Sequence, residues 1–148
     1  MTTKHYPWLW FDADGTLFDY TQAEQTALRQ TFMSFDLPFN SMVMDTYRCI
    51  NRQLWQALER QEITPAALQV QRFERLQAAL GSPFSPARMS AAFLEQLAQC
   101  ADLMDGAVDV LRALQKSSRI AIVTNGFKRV QDGRLARAPI REFITEVV

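Results

Sequence analysis

Apolar positions along this chain follow two rhythms. Trp8-Leu9-Trp10-Phe11 is an unbroken apolar run that stops abruptly at Asp12. A run of that kind predicts a strand buried on both faces of a parallel sheet, with Trp8 and Trp10 in the core. Arg119-Ile-Ala-Ile-Val-Thr124 predicts a second such strand, ending just before Asn125-Gly126. Ahead of it, Leu103 to Lys116 reads as a helix with Val108, Leu111 and Leu114 on one side. A helix feeding a buried strand is the grammar of an α/β sheet.

Between the two strands the rhythm is helical. Thr21-Gln-Ala-Glu24 has the form of a capping box and predicts a helix to about Met33. Ser41 to Gln61 predicts a second helix. Thr64-Pro65 supplies an N-cap with proline at the first helical position, and Gly81 follows that helix's end. Ser85-Pro86 repeats the signal for a fourth, reaching about Gln99. The predicted organisation is a sheet core over 1–19 and 104–148 that carries an all-helical insertion over 20–103. After the second strand, Gly133 to Ala138 continues a helical region and Pro139 to Phe143 a turn. Ile144 to Val148 then begins a third strand.

Composition narrows the class. The 148 residues carry sixteen basic and sixteen acidic side chains, and 48% are hydrophobic, which is ordinary for a globular protein. No basic tract suggests a nucleic acid polymer as partner. No apolar run approaches the ~20 residues needed to span a bilayer, so a membrane is not expected either. The first residues lack the apolar stretch of a signal peptide, and a cytoplasmic location is expected. Cys49 and Cys100 fall in helix-like segments without metal-ligand spacing and are expected to be buried free thiols. His5, the single histidine, precedes the first strand, which excludes histidine triads and multi-histidine metal sites.

The chemistry gathers where the first strand ends. Asp12-Ala13-Asp14-Gly15-Thr16-Leu17 places two carboxylates at the carboxyl end of a strand, where open α/β sheets bind ligands. Asp12 can attack phosphorus to form an aspartyl-phosphate. Asp14 can protonate the leaving oxygen and then deprotonate the attacking water. Carboxylates crowded against a phosphate need a cation, and Mg²⁺ suits such oxygens. Thr124, Asn125 and Gly126 follow the second strand, where a hydroxyl and backbone N–H groups can hold phosphate oxygens at a helix N-terminus. Either motif alone also fits a simple turn. An Asp-x-Asp glycosyltransferase site would lack the Gly-Thr-Leu continuation. In the insertion, Trp55 and Phe73 are aromatic faces suited to a base but fit a helical core better, and Arg72 reads as a solvated charge.

FDADGTLF and the Val123-Thr-Asn-Gly-Phe127 string resemble motifs I and II of the haloacid dehalogenase-like superfamily, and the insertion sits where that superfamily has a helical cap of the C1 type. Asn51-Arg-Gln-Leu-Trp55, Ile63-Thr64, Leu68, Arg72-Phe73, Gln131 and Arg134-Leu135 extend the resemblance to its pyrimidine 5′-nucleotidase branch, from Trp8 to Val148. The resemblance implies a Rossmann-like core and hydrolysis of UMP, dUMP or dTMP. It implies Asp12 as nucleophile and metal ligand, and Asp14 as acid/base with its carbonyl on Mg²⁺. Thr124, Asn125 and Gly126 would bind phosphate, and the cap would choose the base. The family also carries a lysine after its third strand and an acidic pair after the next. The chain ends before both, and Lys128 matches neither. An incomplete copy of a nucleotidase is therefore expected. The alternatives are an inactive shortened protein or binding remnant, and a phosphatase for a sugar phosphate or phosphonate. Oligomeric state is left open.

Overall fold

Strands β1 (Trp8–Asp12), β2 (Arg119–Val123) and β3 (Glu146–Val147) form one parallel sheet, in that spatial order, in the computed structural model. The structure describes residues 6–148; His5, with the argument drawn from its place, lies outside the described residues. Parallel neighbours require crossover connections. That from β1 to β2 carries α1 (Tyr20–Ser34), α2 (Ser41–Glu59), α3 (Pro65–Leu80), α4 (Pro86–Gln99) and α5 (Ala107–Leu114). That from β2 to β3 carries α6 (Lys128–Arg137) and a single 3₁₀ turn at Arg141–Phe143. The fold is thus the expected α/β sheet core with a helical insertion. No helix among the described residues is long and apolar enough to cross a membrane.

The residues fall into two compact units. One runs to Glu24 and resumes over Leu97–Val148; the other is Gln25–Gln96. The sheet unit is built on Leu17, Phe18, Leu111, Ile120, Ile122, Leu135, Ile140 and Phe143, with Phe11 and Val108 packed against them. β2, paired on both sides, buries Ile120, Ala121 and Ile122 completely.

β1 corrects the expectation of two-sided burial. Trp10 is 57% exposed and Trp8 only half-buried. Alternate residues of a strand share a face, and the Trp8 and Trp10 rings stack with centroids 6.1 Å apart, while the Arg119 guanidinium lies over Trp8. An unbroken apolar run reads as buried on both sides, but the described residues leave the face with Trp8 and Trp10 partly open to solvent.

In the helical unit, Thr64 caps α3 by accepting from the Ala67 N–H, and Gly81 closes it at a left-handed φ of 62°. Asn40 caps α2 in the same way through Val43. Its core packs Tyr47, Phe73 and Phe93 with ring centroids 5.5–5.9 Å apart. Phe73 is accordingly core. Arg72 is not the solvated charge its position suggested. It is buried, with its guanidinium 4.7 Å from the Phe93 ring centre and donating to the Tyr47 hydroxyl. Aromatic faces and a phenol oxygen replace part of its hydration. Two further expectations change. Asp19, immediately before α1, caps it by accepting from the Gln22 N–H, so Thr21 lies inside the helix. Cys49 is exposed and Cys100, just past α4, only half-buried, because neither falls on a core-facing position.

Gly133 lies inside α6, where glycine normally costs about 1 kcal/mol relative to alanine. A Cβ there would sit 2.9 Å from both the Cβ and the carbonyl oxygen of Ala98. Gly133→Ala is therefore expected to destabilise by about 1–3 kcal/mol instead of stabilising. Thermal unfolding checks this; a raised midpoint would mean that α6 moves away from Ala98 at little cost.

Candidate active site

Parallel register aligns Asp12, the last residue of β1, with Val123, the last of β2. Asp12 and Thr124 thus emerge from the carboxyl ends of neighbouring strands. The segment after Asp12 is a tight loop. The N–H groups of Leu17 and Phe18 both donate to the Ala13 carbonyl, at 3.0 and 2.9 Å, and the Gly15 N–H donates to Phe18. Gly15 has a φ of 80°, a left-handed conformation that favours glycine. Buried Ala13, Leu17 and Phe18 fasten this loop to the core while Asp12 stays exposed and Asp14 partly so.

Thr124 is held from two sides. Its N–H donates to the Val148 carbonyl. Its hydroxyl oxygen accepts from the Gly126 N–H and from the Gln131 side-chain amide, each at 3.1 Å. A hydroxyl offers two lone pairs and one hydrogen. Asn125 is exposed beside it.

Asp14 is grasped by α6. Its Oδ2 accepts from Gln131 Nε2 at 2.7 Å, and its Oδ1 accepts from Arg134 Nη1. Gln131 and Arg134, three apart on one helix, share a face, and both are buried. Arg134 Nε donates to the Cys100 carbonyl at 2.9 Å, and its guanidinium lies 4.3 Å from the Phe18 ring centre. Sequence reasoning noted Gln131 and Arg134 only within a resemblance and gave them no role. The available signal was two long polar side chains three apart, between Val130 and Leu135, which are buried on the same helix. Lys128 pairs instead with Asp132 at 2.9 Å on the exposed side of α6.

Burial pushes the Cys100 thiol above its ordinary range, with Asp102 adding to the shift and Arg134 opposing it. It therefore stays protonated near neutral pH and is no rival nucleophile. Among the described residues no three acidic, cysteine or histidine side chains cluster as a metal site. The Asp12 carboxylate and the Asp14 carbonyl are hard oxygens. They suit Mg²⁺, which is commonly held by one or two carboxylates and keeps several waters.

A family model described as haloacid dehalogenase-like hydrolase matches residues 8–148. The chain is 32% identical to pyrimidine 5′-nucleotidase YjjG of Escherichia coli over 97% of its own length and 62% of that protein. It is 31% identical to pyrimidine 5′-nucleotidase PynA of Streptococcus pneumoniae over 96% of this chain and 60% of that one. The magnesium-bound crystal structure of the HAD-hydrolase YfnB from Bacillus subtilis superposes with a TM-score of 0.91 at 31% identity, covering 97% of this chain and 63% of that one. The chain therefore spans less than two thirds of the length of these relatives.

Proposed function

The chain belongs to the haloacid dehalogenase-like hydrolase family, and from that premise we propose that the whole protein carrying it is a phosphomonoesterase acting on pyrimidine nucleoside 5′-monophosphates. The observation that supports the chemistry is the bridge from Gln131 Nε2 to both Asp14 Oδ2 and Thr124 Oγ1, at the strand ends where Asp12 is in register with Val123. A carboxylate nucleophile, an acid/base and a phosphate-binding hydroxyl then share one edge of the sheet. The similarity to YjjG and PynA supports the pyrimidine nucleotide as substrate.

In this reading an Asp12 carboxylate oxygen attacks phosphorus and the bond to the ester oxygen breaks. That oxygen leaves with the electron pair and takes a proton from Asp14. Water then attacks the aspartyl-phosphate, giving its proton to Asp14; inorganic phosphate departs and the Asp12 carboxylate is restored. Thr124, Asn125 and Gly126 hold the phosphate oxygens. Asp12 and the Asp14 carbonyl would hold Mg²⁺, which supplies charge neutralisation at the phosphate.

The test is phosphate release by the whole protein from UMP, dUMP and dTMP against sugar phosphates, with Mg²⁺ and with excess EDTA. Turnover of the three nucleotides that EDTA abolishes is the expected result. Activity persisting in EDTA would sink the metal-assisted mechanism, and a preference for sugar phosphates would overturn the substrate.

A further inference from the structure

We infer that Gln131 and Arg134 are positioning residues that set the two halves of this chemistry at once, orienting Thr124 as a donor and fixing the Asp14 carboxylate. The inference rests on the proposed function and adds to it two residues on α6. The hydrogen-bond inventory at Gln131 carries it. Its amide has two N–H hydrogens: one goes to Asp14 Oδ2 and the other to Thr124 Oγ1. Thr124 Oγ1 also accepts from the Gly126 N–H, so both its lone pairs are filled. Its own hydrogen is then directed away from these partners. A hydroxyl restricted to donating suits a phosphate oxygen, which only accepts.

Gly126 is an independent sign that this reach is built in. A Cβ at Gly126 would collide with Gln131 Nε2 and stand 3.2 Å from Thr124 Oγ1. The loop has room for the Gln131 amide only because residue 126 has no side chain. Arg134 completes the hold. It is fully buried, and a buried guanidinium needs an anionic or hydrogen-bonding partner. It finds the Asp14 Oδ1 and the Cys100 carbonyl, while its Nη2 has no hydrogen-bond partner among the described residues. Both oxygens of Asp14 are thereby fixed from one helix face, so the carboxylate's orientation depends on α6 as well as on the loop that carries it.

The test separates positioning from folding by the leaving group. Uridine departs as an alkoxide that needs a proton from Asp14, whereas p-nitrophenolate departs as a stable anion. Single-turnover release of both from UMP and p-nitrophenyl phosphate is measured for the whole protein and for Gln131→Met, which keeps volume and removes both donors. Because acid–base catalysis contributes ~10²–10⁴-fold, uridine release is expected to fall by about tenfold or more. p-Nitrophenolate release should change much less. KM should rise by a similar factor for both substrates, since Thr124 meets the phosphate they share. Arg134→Lys, which keeps the charge but loses the fork, should show the same split to a smaller extent, and covers the case in which Gln131→Met fails to fold. Equal losses on both leaving groups, or none, would overturn the inference while leaving the function intact. A parent protein that hydrolyses neither substrate would bring down the proposed function, and this inference with it.

Discussion

Asp12→Asn in the whole protein is expected to lower Mg²⁺-dependent phosphate release from UMP by about 10⁴-fold or more, since in the proposed mechanism Asp12 is the nucleophile and nothing substitutes for it. The amide oxygen of asparagine carries no charge to attack phosphorus and binds a hard cation weakly. Two contributions vanish together. Stability should scarcely change, because Asp12 is exposed at the end of β1, and the strand pairing there uses its backbone. Steady-state assays alongside a thermal melt separate the two readouts. Turnover within about tenfold of the parent would exclude Asp12 as nucleophile.

Asp14→Asn should behave differently on both counts. Loss of the acid/base predicts slowing by ~10²–10⁴-fold with KM little changed. Here the melt should move as well. Arg134 is buried and pairs with Asp14, so the neutral amide leaves a positive charge poorly compensated. Asparagine keeps one acceptor oxygen and Asp14 is partly exposed, so the expected cost is about 1–3 kcal/mol. Unchanged phosphate release would make Asp14 a structural anchor for Arg134. Normal stability with slowed turnover would show that Arg134 finds another partner.

Elements set by local chemistry were legible in the chain. Thr64, Pro65 and Gly81 bracket α3 because caps depend on hydrogen bonds within a turn of the helix end. The adjacent case shows the limit: Thr21 and Glu24 have the spacing of a capping box, yet Asp19 accepts the bond, and no pattern of spacing ranks two competing acceptors. Burial was harder to read, because it depends on what lies opposite. The Trp8 and Trp10 pair has the hydrophobicity of a core strand and occupies an open face; Arg72 has the charge of a surface and sits among three aromatic rings. At the site, the two motifs were visible as separate strings. Their neighbourhood follows from the β1–β2 register, and the grip of α6 on Asp14 joins residues 117 and 120 apart. Side-chain bonds over such distances leave no local signature.

The division into two units has a consequence for how the chain assembles. Gln25–Gln96 is one continuous stretch, and the rings of its core, Tyr47, Phe73 and Phe93, come from positions 20 to 46 residues apart. The sheet unit is discontinuous: Trp8 must meet Arg119 across everything between them before the first parallel bond forms. Closing so long a loop carries an entropic cost that grows with the logarithm of its length, and the contacts within Gln25–Gln96 close shorter loops. The Asp12 end of β1 and the Val123 end of β2, where the two motifs lie, therefore come together only when that long loop closes.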